Sequence, residues 1–143
     1  MKHNKKEYFC NYKKSRELFR ARVFKNSSFK LKTLYINKED DLTIDIAIYK
    51  GNSHSLILHI SGTHGVEGFI GSGIQSNILH TFQIGNQDSV PSILLIHGLN
   101  PYGMKYLRRV NENNVDLNRN ALFQNEHKTL SSNSNSNDYK NID

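Results

Sequence analysis

The chain has a single cysteine, Cys10, among its 143 residues. One thiol excludes an internal disulfide and any cysteine-rich metal site, and it is compatible with a reducing compartment. No apolar run approaches the roughly 18 residues needed to cross a bilayer as a helix. The N-terminus is positively charged but has no apolar h-region, which excludes a secretory signal. Lysines there outnumber arginines and Glu7 and Glu17 interrupt them, which counts against a mitochondrial presequence. The expectation is a cytoplasmic protein with no membrane partner.

Acidic residues are scarce at the start. Lys2, Lys5, Lys6, Lys13, Lys14, Arg16, Arg20, Arg22, Lys25, Lys30 and Lys32 are opposed only by Glu7 and Glu17. This local excess is larger than the net charge of +6 of the whole chain, whose isoelectric point is near 9.4. Such a charge suggests nucleic acid. Yet the chain has no zinc-finger spacing, no recognition motif and no aromatic pair on a basic strand. The plainer reading is a solvated basic helix face, with no nucleic-acid partner.

Three regions follow from composition. Residues 1–6 are a flexible basic N-terminus. Residues 124–143, QNEHKTLSSNSNSNDYKNID, offer almost nothing to bury, which predicts a disordered tail. Residues 7–123 carry the usable core. Within them, residues 7–22 have helical periodicity, with Tyr8, Tyr12, Ser15 and Phe19 on one stripe and Phe9 and Leu18 beside it. Residues 29–37 and 42–49 alternate like half-buried strands, joined by the turn Lys38-Glu39-Asp40-Asp41. Residues 55–60, SLILHI, and 92–97, SILLIH, are continuous apolar runs that predict strands buried on both faces. Between them, residues 68–83 suit a helix with Phe69, Ile74, Ile78, Leu79 and Phe82 inward. Residues 102–109 suit a short helix or turn, and 111–114 a loop. Strand, helix, strand makes a βαβ unit with parallel pairing. The fold class is therefore α/β, a mixed, largely parallel sheet flanked by helices.

In such sheets ligands collect beyond the carboxyl ends of the strands. Ser61-Gly62-Thr63-His64-Gly65-Val66-Glu67-Gly68 follows the first apolar strand, and Asn100-Pro101-Tyr102-Gly103 follows the second. Both motifs fall on one rim. His64 and Glu67, three apart in a glycine-rich loop, can aim an imidazole and a carboxylate at one point, as a catalytic zinc requires. A water on such a metal becomes acidic enough to attack a carbonyl. Arg109 or Arg119 could stabilise an oxyanion or grip a carboxylate in a planar fork. Plainer readings stand beside these. His64 can be a surface histidine and Glu67 a helix-start carboxylate. Arg108 and Arg109 can be solvated charges, and Asp116-Leu117-Asn118-Arg119 a capped turn.

The run HGVEG, followed by GLNPYGMKYLRRVNENNVDLNRN, resembles the zinc carboxypeptidase superfamily, nearest a carboxypeptidase-like branch of unknown function. The resemblance spans about residues 7–123. It implies one Zn2+ held by His64 and Glu67, Arg109 polarising the scissile carbonyl, and Asn118 and Arg119 binding the substrate carboxylate. It also implies that Asn100-Pro101-Tyr102-Gly103 is a structural turn. The implied activity is hydrolysis of an amide beside a free carboxylate, in a peptide or an acylated amino acid. The resemblance further implies a third zinc ligand, a downstream histidine, and a glutamate general base. After Arg119 only Glu126, His127 and Tyr139 remain, and none is assigned. The expectation is an N-terminal portion of the domain with an incomplete site, either a hydrolase fragment or a non-catalytic carboxylate-binding protein. Of the other histidines, His97 ends a strand on the correct rim and reads as a packing residue that could in principle approach the metal. His59 reads as a core residue, and His54 and His80 as surface positions.

Overall fold

A computed structural model describes residues 11–83 and 89–120. The basic terminus 1–6, the first residues of the expected 7–22 helix and the tail 124–143 lie outside the described residues.

Helix α1 runs Tyr12–Lys25. Asn11 caps it, its side chain accepting from Lys14 N at 2.9 Å. The stripe buried on the body is Tyr12, Ser15, Arg16, Phe19 and Val23. Strands β1 (Lys30–Asn37), β2 (Leu42–Tyr49) and β3 (Leu56–Ile60) follow, then α2 (Gly68–Thr81), β4 (Ser92–His97) and α3 (Pro101–Tyr106). The sheet order is β1-β2-β4-β3. β1 pairs β2 and β2 pairs β4 antiparallel, while β3 and β4 are parallel, as the βαβ reading requires. The architecture is thus a mixed α/β sheet flanked by helices, in which one of the three described pairings is parallel.

The core lies under α1 and α2, where Phe19, Val23 and Leu79 meet Ala47, Tyr49, Ile93 and Leu95. A smaller cluster of Tyr12, Leu42, Phe69 and Met104 seals the carboxyl end of the sheet. Burying groups of this size at roughly 1.5–3 kcal/mol per large side chain is what holds the helices on the sheet.

Four expectations need correction. The run 55–60 is not buried on both faces: Leu56, Ile57, Leu58 and Ile60 are each at least 41% exposed, because β3 is an edge strand of the described sheet. β1 is the opposite edge and is exposed along nearly all its length rather than half-buried. Ile74 points outward, and α2 instead buries Ser72, Gln75 and Ser76. The basic face of α1 is only partly solvated. Arg16 is buried and donates to the carbonyl and carboxylate of Asp41, and Arg20 donates to both oxygens of the buried Asp45 at 2.9 Å. These arginines fasten α1 to β2.

Candidate functional site

The two apolar strands end side by side, and their exits are stitched together. Ser61 N donates to Ile96 O at 2.9 Å, Leu99 N to Ser61 O at 2.9 Å, and Asn100 N to Gly62 O at 2.7 Å. Gly62 and Gly98 both turn at positive φ, 70° and 67°, a region open to glycine without a Cβ penalty. Gln75, fully buried on α2, clamps this junction. Its Oε1 accepts from Ser61 Oγ at 2.9 Å and its Nε2 donates to Ile96 O at 2.9 Å and His59 O at 3.2 Å.

The second motif is built from Asn100. Its side chain caps α3 by accepting from Gly103 N at 2.8 Å. Leu107 then ends the helix in the left-handed conformation. Gly65 N donates to Arg108 O at 2.9 Å, which ties the two motifs to each other. A Cβ at Gly65 would lie 1.9 Å from Gly103 O, so this approach needs glycine.

The side chain of His64 is largely enclosed, with 10% of its surface exposed. Its Nδ1 lies 2.7 Å from Glu67 Oε1 and its Nε2 lies 3.0 Å from Asp116 Oδ1. The other oxygen of Asp116 accepts from Arg109 Nε at 2.8 Å. Arg109 first, and His64 second, hold the Asp116 carboxyl well below the usual carboxylate range. Glu67 is also lowered, first by its hydrogen bond to the backbone and then by His64. A neutral imidazole has one N–H to donate. With carboxylate oxygens at both ring nitrogens, one of the two contacts needs a further proton or a cation. His64 Nδ1 and Glu67 are the pair in which a metal could be shared. Among the described residues no group of three or more His, Cys, Asp or Glu side chains is arranged to hold a metal ion.

A cleft of about 260 Å³ opens here, walled by Ser61, Gly62, Thr63, His64, Glu67 and Gly68, with Asn118 across from them. Of the residues read from sequence, His64, Glu67, Arg109 and Asn118 are gathered around this cleft or Asp116. Arg119 is exposed, and its guanidinium donates to Asn118 O at 3.4 Å. Arg109, not Arg108, reaches Asp116. His97 is buried beneath α1 and α2, with Nε2 2.9 Å from Ser72 Oγ and 3.2 Å from Ser15 Oγ, and does not line the cleft. His59 is half-buried against Gln75, and His54 and His80 are exposed.

Asp116 is the residue that sequence reasoning passed over. It does cap a turn, accepting from Asn118 N at 2.9 Å. The signal that it does more is a carboxylate placed close in sequence to Arg109, Asn118 and Arg119, where an acid has partners to hold. Gln75 and Ser61 were also unread as site-shaping residues.

The fold and site together define an α/β domain whose strand-end cleft is lined by the imidazole of His64 and the carboxylate of Glu67, with Asp116 and Arg109 linked to that imidazole by hydrogen bonds. Residues 8–143 match the family described as protein of unknown function (DUF2817), and the chain belongs to that family. No curated protein and no solved structure matches the chain.

Proposed function

We propose that the cleft is a metal-dependent amide-hydrolase site of the zinc carboxypeptidase type. The supporting observation is that His64 is pinned between Glu67 and Asp116 while Asp116 also holds Arg109. The donor set fits zinc: a nitrogen and a carboxylate oxygen face each other, and a second carboxylate orients the ring from its far side. His64 and Glu67 would hold one Zn2+, which when bound supplies a water acidic enough to attack a carbonyl. Arg109 would stabilise the oxyanion, and Asn118 and Arg119 would seat the free carboxylate of a peptide or acylated amino acid. Two protein ligands imply weak zinc binding. The test is zinc titration by calorimetry together with hydrolysis of N-acyl amino acids and short peptides. The reading expects zinc binding that His64→Ala abolishes, with any turnover lost in the same variant. Equal zinc binding by wild type and His64→Ala sinks it.

A second reading is favoured by the lack of a three-residue ligand group among the described residues. In it the cleft binds carboxylates without turnover. It expects an acylated amino acid to bind in the absence of zinc, with Arg119→Ala and Asn118→Ala weakening binding and His64→Ala leaving it intact.

A further inference from the structure

Phe24, near the end of α1, is 92% exposed. It lies one turn beyond Arg20, on the same side of the helix. Arg20 and Thr33 of β1 both donate to Asp45, so this side of α1 faces the β1 edge. Leu31 and Tyr35 flank Thr33 at the two-residue spacing that sets them on the same face of the strand, and both are exposed. Three large apolar groups therefore share one margin of the molecule. A single exposed leucine needs no explanation. An aromatic ring left almost wholly in water, on the same margin as two other large apolar groups, marks a surface that meets something apolar.

The setting is basic. Lys13 and Lys25 are exposed on α1, and Lys38 stands over the ring of Tyr35, 5.9 Å from its centroid. Lys30 and Lys32 project from the opposite face of the same edge strand. The acids nearby are Glu17 and Glu39, with Asp40 and Asp41 paired to Lys105 and Arg16. The cations outnumber the acids. Apolar anchors ringed by positive charge fit a partner that is anionic outside and apolar beneath, which is the surface of an anionic bilayer. The expectation of no membrane partner rested on the lack of a spanning segment. Among the described residues no helix is long and apolar enough to cross a membrane. Lying on one asks less: lysine stems run along the acyl boundary while their ammonium groups stay among the phosphates. A nucleic acid would also meet the charge. It matches the apolar groups less well, because Leu31 has no ring to stack on a base and the ring of Tyr35 has Lys38 over it.

We propose that the α1–β1 margin is a contact surface for an anionic phospholipid bilayer, with Phe24 and Leu31 entering the acyl boundary and the lysines meeting the headgroups. This is independent of the chemistry of the cleft. The chain has no tryptophan, so Phe24→Trp installs a single fluorescent reporter at the point of contact. The experiment is co-sedimentation of the full chain with vesicles of phosphatidylcholine alone and of phosphatidylcholine mixed with phosphatidylserine, at low and high salt. Wild type should bind the mixed vesicles and not the neutral ones, and salt should weaken that binding. Phe24→Ser should weaken it about tenfold, as expected when a large apolar side chain is withdrawn from lipid. Lys25→Glu and Lys38→Glu should each weaken it at least about fivefold. Phe24 is nearly all exposed, so circular dichroism of its variants should match wild type. Emission from the Phe24→Trp variant should shift to the blue on the mixed vesicles and stay in place with a single-stranded oligonucleotide. No binding to the mixed vesicles at low salt, or binding that Phe24→Ser leaves unchanged, overturns the proposal. So does a blue shift that the oligonucleotide produces and the vesicles do not.

Discussion

Asp116 presents one carboxylate oxygen to His64 Nε2 at 3.0 Å and the other to Arg109 Nε at 2.8 Å. One side chain thereby sets the orientation of the imidazole and the position of the guanidinium. On the zinc reading, Asp116→Ala should weaken zinc binding by about tenfold or more, the usual range for losing a carboxylate behind a ligating histidine. Competition with a chromophoric chelator measures this. Unchanged affinity would remove Asp116 from the site. Because Arg109 first and His64 second hold its carboxyl below the usual range, the link to Arg109 is present at neutral pH and should outlast that of an ordinary aspartate as the pH falls.

Gln75 should be intolerant of Leu. The change takes the acceptor of Ser61 Oγ out of a closed interior, while Ile96 O loses one of its two donors and keeps Ser61 N at 2.9 Å. Urea unfolding should show a loss of about 2 kcal/mol for Gln75→Leu, within the range of about 1–3 kcal/mol for a buried group deprived of its partner, and a loss under about 1 kcal/mol would show that the clamp is dispensable.

His97 gives the fold a defined pH dependence. Burial pushes its imidazole down to about 4, with its ring against Phe19 and its Nε2 shared by Ser72 and Ser15. The unfolded chain binds the proton more readily, near the ordinary value of 6.5. Stability should therefore be full above that value and fall as pH drops from 6.5 towards 4. The total is roughly 3 kcal/mol at most. His97→Gln should flatten this part of the profile, whatever it does to stability at neutral pH. A wild-type profile already flat between those values contradicts the assignment.

Arg20→Met strands a carboxylate. Asp45 is fully buried and would keep only the hydroxyls of Thr33 at 2.6 Å and Thr43 at 3.3 Å. Breaking a buried pair from one side costs several kcal/mol, but the side chain of Arg20 is 31% exposed and the threonines remain. The expected loss is about 2 kcal/mol. The double variant Arg20→Met/Asp45→Leu should recover much of it. A double variant no better than the single would show that the carboxylate, not its pairing, matters.

The βαβ unit and its rim were legible because their signals are local. A run of aliphatic residues, a cluster of glycines and an Asn-Pro cap each say what the chain does within a few residues. What failed was of another kind. SLILHI has the composition of a covered strand, and composition cannot report whether anything lies alongside it. Arg20 looked like one more solvated charge on α1, since its carboxylate is 25 residues away on β2. Asp116 was passed over for the same reason: it meets His64 across 52 residues of chain. His64 and Glu67, by contrast, are three apart, and their meeting at 2.7 Å is visible in the spacing itself.

Met104 has a consequence out of proportion to its chemistry. It is wholly enclosed, and its thioether lies against both left-handed glycines: a Cβ added at Gly62 would come within 2.5 Å of Sδ, and one at Gly98 within 3.5 Å. The two strand exits thus rest on a common floor, and neither can be redesigned alone. Peroxide that reaches this sulfur would add an oxygen where there is no room. Both loops would then lift together, and the imidazole and the Asn-capped turn would be displaced in one event.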